Sequence, residues 1–186
     1  FLSEQLNQCP VHVHKEGQSS LETGDFFTTW ANRFDSDMPA LAAEVVNDKE
    51  VFALGNGQVC AISLPGHCSD NMVYHIPEKN LVIAGLLIPR ADRPTRWDMP
   101  TGCLPDIVNS LRTLRSLKPE TIIPLQGPAI KGRKHVVDVI SRHLDFFEAC
   151  IDNDGAVPKS WLRPAQTALW LTPNPPWPLK EKEETN

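Results

Sequence analysis

Hydrophobic residues follow two periods along the chain. From residue 51 to residue 88 they come in short runs separated by turn residues. Val51-Phe52-Ala53-Leu54 precedes Gly55-Asn56-Gly57, Val59 to Leu64 precedes Pro65-Gly66, and Met72 to Ile76 precedes Pro77-Glu78-Lys79-Asn80. Leu81 to Ile88 follows. Short apolar runs bounded by turns predict a hairpin and two further strands of a meander, the last apolar enough for burial on both faces. Beyond residue 105 the period lengthens. Ile107, Leu111, Leu114 and Leu117 predict a helix over 106–117, with Arg112 and Arg115 off its apolar stripe. Val136, Val139, Ile140, Leu144 and Phe147 predict another over 136–149. Thr121-Ile122-Ile123-Pro124 between them reads as a short buried strand. Strands followed by strand–helix–strand–helix make a layered mixed α/β fold.

The first fifty residues are less periodic. Residues 1–8 read as the end of an amphipathic helix with Phe1, Leu2 and Leu6 on one side, and Pro10 opens a strand over 11–14. Gly17 and Gly24 bracket a polar loop. Asp25 is placed to cap a helix through Phe26, Phe27, Trp30 and Phe34, and a second short helix is expected over 39–45. At the other end the composition shifts. Six of the 17 prolines lie between Pro158 and Pro178, beside Trp161, Trp170 and Trp177. This divides the chain into a domain over 1–155 and a Pro/Trp-rich extension over 156–186, read either as a strap plugging gaps in the domain or as an arm for a partner subunit.

Composition narrows the functional classes. No apolar run approaches the ~18 residues of a membrane-spanning helix, and a net charge of −5 argues against nucleic acid as the partner. Cys9, Cys60, Cys68, Cys103 and Cys150 are odd in number and widely spaced, with no CxxC pair. That fits free thiols in a reducing compartment, cytoplasmic or organelle-stromal, better than a disulfide framework or a zinc finger. The first residues lack the basic start and apolar stretch of a signal peptide. No glycine-rich phosphate loop or Gly-x-Ser-x-Gly elbow is present.

Four pieces in order carry a family resemblance. A strand ends in Leu64-Pro65-Gly66-His67, followed by Cys68-Ser69-Asp70-Asn71-Met72-Val73-Tyr74. Pro77-Glu78-Lys79-Asn80-Leu81-Val82-Ile83-Ala84-Gly85 comes next, then the helix Ile107-Val108-Asn109-Ser110-Leu111-Arg112-Thr113-Leu114. Thr121-Ile122-Ile123-Pro124-Leu125-Gln126-Gly127-Pro128 closes the series. Together they resemble the C-terminal half of the metallo-β-lactamase-fold superfamily, from its "TPGHTxGS" loop to its "tvvPGHGp" turn, and the likeness extends over 1–149. It implies an αββα sandwich with its N-terminal part incomplete in this chain, and loops at one sheet edge that hold one or two metal ions. In working members a metal-bound water is the nucleophile, its pKa lowered by the ion.

The resemblance also shows where this chain departs. The family's HxHxDH motif is absent, and His12-Val13-His14 is not that motif. His67 matches the histidine of the third ligand motif and is the candidate metal ligand. The bridging aspartate position is Leu86, and the last histidine position is Gln126. Leucine cannot ligate and glutamine is a poor neutral donor, whereas this chemistry needs imidazoles and a carboxylate around zinc or iron. Two readings follow. One is a non-catalytic scaffold or assembly subunit with a degenerate metal site and no ion, its sandwich completed by a protein partner or a further N-terminal segment. The other is a divergent hydrolase of an ester, thioester or phosphoester, using His67 and one Zn or Fe ion with ligands upstream of Phe1. His12 and His14 share a strand face and read as a packed, hydrogen-bonded pair. Cys68 lacks a visible activating base. Arg90, Arg93 and Arg96 read as a solvated loop salted with Asp92 and Asp98, or as holders of an anionic ligand.

Overall fold

A three-residue strand, β1 (His12–His14), runs directly into α1 (Lys15–Glu22), whose first turn is capped by His14: its Nδ1 accepts the Glu16 N–H at 3.4 Å. The chain returns to pair β2 (Glu44–Val46) in parallel with β1, setting His12 opposite Glu44 and His14 opposite Val46. The computed structural model describes residues 9–33 and 35–160. The six remaining strands, β3 (Val51–Leu54), β4 (Gly57–Ser63), β5 (Met72–Ile76), β6 (Leu81–Gly85), β7 (Thr121–Pro124) and β8 (Ile130–Lys131), form one sheet in chain order. All neighbours in it are antiparallel except β6 and β7. That parallel step requires a crossover, and α2 (Leu104–Ser116) supplies it.

Strand alternation assigns the two faces of this sheet. Ile62, Val73, Val82, Ala84 and Ile122 point to one side and are buried. There they meet Ile107, Leu111 and Leu114 of α2 and Val136, Val139, Ile140 and Phe147 of α3 (Arg133–Asp152) in one continuous core. Each such large side chain withdrawn from water contributes about 1.5–3 kcal/mol. On the opposite side, Ile83 of β6 and Ile123 of β7 sit side by side in register and remain 37% and 38% exposed. Helices and sheets thus layer as an α/β sandwich, the mixed α/β class that the hydrophobic pattern predicts and the sandwich that the resemblance implies.

The front of the molecule differs from the pattern-based expectation in three places. The stretch between Gly17 and Gly24 is mostly helix, α1, and not a loop. Residues 25–33 form turns and one 3₁₀ turn, Ala31–Arg33, in place of the expected helix; Asp25 does cap, accepting from Phe27 N–H at 2.9 Å and Thr28 N–H at 3.0 Å, but Trp30 at φ 59° cannot continue a right-handed helix. The helix expected over 39–45 is replaced by β2. Further on, the last meander strand ends at Gly85, where φ is 52°, so Leu86 to Ile88 leave the sheet. β8 was not anticipated. The helix expected over 1–8 and the extension beyond residue 160 lie outside the described residues.

Gly17 makes α1 possible in this position. A methyl group there would meet Asp70 Oδ2 at 2.5 Å and Val13 Cγ2 at 2.9 Å. Alanine inside a helix ordinarily stabilises by about 0.8–1 kcal/mol over glycine. Here Gly17→Ala is expected to reverse the sign and destabilise by about 1–2 kcal/mol, read as a lower urea midpoint at unchanged slope.

Candidate functional site

The loop after β4 is braced from both sides. Leu64 and Asn71 exchange hydrogen bonds, Leu64 N–H to the Asn71 carbonyl at 3.0 Å and Asn71 Nδ2 to the Leu64 carbonyl at 2.8 Å. The hydroxyl of Ser110 on α2 donates to the Pro65 carbonyl at 2.6 Å. Gly66, at φ 137°, lies against the start of α2 and accepts from Cys103 N–H at 2.9 Å. The next side chain, His67, is thereby buried.

The His67 ring is oriented by the loop that follows β6. Its Nδ1 lies 3.1 Å from the Arg96 carbonyl and 3.3 Å from Thr95 Oγ1. A carbonyl only accepts, so the proton is assigned to Nδ1 and Nε2 keeps its lone pair. Burial pulls the His67 pKa below the usual histidine value, with the Arg96 carbonyl hydrogen bond opposing. The ring is therefore neutral at pH 7.

Leu86, one residue past β6, and Gln126, two residues past β7, line a cavity of about 220 Å³ together with His67. Gln126 is held there by its backbone N–H, which donates to the Pro89 carbonyl at 2.9 Å. The three positions that the family resemblance pairs with metal ligands thus meet at one site. Trp30 and Met99 complete its apolar wall, and Arg90, Arg93 and Arg96 its charged rim. Among the described residues, no group of three or more His, Cys, Asp or Glu side chains stands together as a metal site would require.

The arginines are not equivalent. Arg90 grips Asp92 through Nε at 2.7 Å and Nη2 at 2.8 Å. Arg96 grips Asp98 in the same two-pronged way, with Nε at 2.8 Å, and also lies over the Trp30 ring, 5.0 Å from its centroid. Arg33 covers that ring at 4.3 Å. Among the described residues Arg93 has no such carboxylate, and its buried Nε has no hydrogen-bond partner there. The Asp98 carboxyl, despite its partial burial, titrates below the usual range because Arg96 holds it.

The other candidates fall elsewhere. His12 is half exposed, 3.7 Å from Glu44 Oε2 and edge-on to Phe52. His14 is the cap of α1. His14 is thus packed and hydrogen-bonded as expected, whereas His12 is more exposed, and neither lines the cavity. Burial and then the Asp70 side chain push the Cys68 thiol far above the range in which it would ionise, so it is no nucleophile at neutral pH. Trp30 and Met99 carry no spacing signal; only the folded chain brings them to His67.

No protein-family model matches the chain, and no curated protein does. Solved structures do match. The protein TTHA1623, crystallised in a di-iron-bound form, is 25% identical with a TM-score of 0.58, over 74% of this chain and 66% of that one. The B3 metallo-β-lactamase BLEG-1 is 15% identical with a TM-score of 0.61, over the same shares. The metallo-β-lactamase family protein TTHA1429 from Thermus thermophilus is 15% identical with a TM-score of 0.56, over 80% of this chain and 57% of that one. The chain spans two thirds or less of the length of each. No helix among the described residues is long and apolar enough to cross a membrane. The chain has the metallo-β-lactamase fold.

Proposed function

We propose that this chain is a non-catalytic member of a metallo-hydrolase-like superfamily, kept as a scaffold or assembly subunit. One observation carries the reading: the cavity where the family holds metal is lined here by His67, Leu86 and Gln126. One imidazole, a hydrocarbon and a neutral amide do not fit a divalent ion, which needs several imidazole, thiolate or carboxylate donors. Arg93, with no carboxylate against it among the described residues, adds positive charge where the fold's chemistry calls for negative ligands. The exposed pair Ile83 and Ile123 is the sheet face that a protein partner or a further segment of this protein would cover. Cys60, Cys68, Cys103 and Cys150 are free thiols, which supports a reducing compartment.

A second reading keeps the hydrolase. It is favoured by His67 itself, whose protonated Nδ1 leaves Nε2 in the form a zinc or iron ion takes, and by the di-iron form of TTHA1623. In this reading the remaining ligands lie upstream of Phe1. Elemental analysis of the protein expressed with whatever natural sequence precedes Phe1, in medium supplied with zinc and iron, separates the two. The scaffold reading expects metal far below one ion per chain and no turnover of ester, thioester or phosphoester substrates. Stoichiometric metal with turnover that a chelator abolishes would overturn it.

A further inference from the structure

We propose that the cavity beside His67 binds a small organic monoanion, a carboxylate carried on an apolar body. The inference rests on the reading that no metal ion fills this cavity. Charge balance selects the anion. Of the three arginines at the rim, Arg90 and Arg96 are each neutralised by a two-pronged aspartate. Of these groups Arg93 alone keeps a charge uncompensated among the described residues, and it lines the cavity. A carboxylate is the group that pairs with the planar fork of a guanidinium. Among the three rim arginines and the described residues, one cation is left without a carboxylate, which favours a monoanion over a phosphate dianion.

The remaining wall selects the body of the ligand. Trp30, Leu86, Pro89 and Met99 present an apolar surface, the usual lining of a small-molecule site with a few placed polar groups. A cavity of ~150 Å³ is enough for benzene, so about 220 Å³ accommodates a six-membered ring with a carboxylate arm. Trp30 at φ 59°, outside the conformations a bulky residue ordinarily takes, is fixed by Arg33 and Arg96 on its ring. Backbone held in so unfavourable a state clusters at binding sites.

The test uses phenylacetate and its neutral analogue phenylacetamide, titrated calorimetrically into the full chain before and after treatment with a chelator. Phenylacetate is expected to bind at least about tenfold more tightly than the amide, with an advantage that shrinks as salt is raised. Arg93→Gln should remove that advantage while leaving the amide's affinity unchanged, and Arg93→Lys should restore part of it. Equal affinity for acid and amide, or a preference that survives in Arg93→Gln, overturns the proposal. If Arg93→Gln fails to fold, the acid-to-amide ratio and its salt dependence in the unaltered protein decide. Metal-free protein that ignores phenylacetate refutes this inference alone. Protein that carries stoichiometric metal and loses phenylacetate on chelation refutes the metal-free reading as well.

Discussion

Gly66→Ala is expected to unfold the protein or bring it to the edge of unfolding. Gly66 is buried at φ 137°, and a methyl group there would meet Ile107 Cγ1 and Ile107 N at 2.5 Å and Ile107 Cα at 2.7 Å. Two of those three atoms are backbone at the start of α2, so no rotamer change relieves the collision. The φ value adds its own cost of about 1–3 kcal/mol for any residue with a Cβ. Forcing an extra methyl into a filled space adds about 1–3 kcal/mol more. Together these approach half of the ~5–15 kcal/mol that holds an ordinary domain folded. Gly55→Ala is the reference: Gly55 also has positive φ, at 57°, but in the left-handed region that other residues can adopt, and nothing lies within 4 Å of its added methyl. Urea unfolding of both variants measures the collision together with the more restrictive φ of Gly66. Gly66→Ala should lose at least about 2 kcal/mol more than Gly55→Ala, and equal losses would show that α2 yields. Any folded Gly66→Ala fraction should also show an altered cavity, because the same loop turns His67 inward.

Where one physical signal dominated, the elements were legible in the sequence. The strands from Val51 to Gly85 alternate under tight turns, and α2 and α3 carry unbroken helical stripes. α1 carries no stripe: Lys15–Glu22 contains one large apolar residue, Leu21. Its helicity comes from the His14 cap and from Gly17 fitting under Asp70, neither of which is a periodicity. Phe26, Phe27, Trp30 and Phe34 mimic helical spacing, yet Trp30 is drawn into a left-handed turn between two guanidinium groups. The alanines before β2 favour helix locally, but Val45 and Val46 are needed as partners of β1, and tertiary pairing wins. At the site, the order of family-like pieces was enough to bring His67, Leu86 and Gln126 together. The arginine pairings were also within reach, because Arg90 and Arg96 each have an aspartate two residues on, while Arg93 is followed by Pro94-Thr95. Trp30 and Met99 were not, since their approach to His67 depends on how the front of the chain closes over the sheet edge.

Mild acid is expected to destabilise the protein through a histidine remote from any solvent. His143 of α3 is fully buried, its ring against the backbone of Arg90 and Ala91. Burial pushes its pKa down to about 3, with the hydrogen bonds to that backbone opposing. In the unfolded chain it titrates near 6.5. Between those two values the unfolded state holds one more proton than the folded state, so stability falls as pH falls. The slope is about 1.4 kcal/mol per pH unit. The contribution is fully present above pH ~6.5 and has dropped by about 2–3 kcal/mol at pH ~4.5. His67, also lowered by burial, steepens the decline in the same direction over the upper part of that window. Asp98, held down by Arg96, adds its loss only below the ordinary carboxylate range. Urea unfolding from pH 7.5 to 4.5 measures the slope. His143→Gln is expected to lower stability at pH 7 but to flatten the pH dependence by about one proton, or ~1.4 kcal/mol per pH unit. An unchanged slope would show that His143 stays neutral in both states. Because the ring joins α3 to the segment carrying Arg90 and Ala91, acid should loosen the cavity rim before the sheet, seen as faster amide exchange at residues 90–96 while β4 to β7 remain protected.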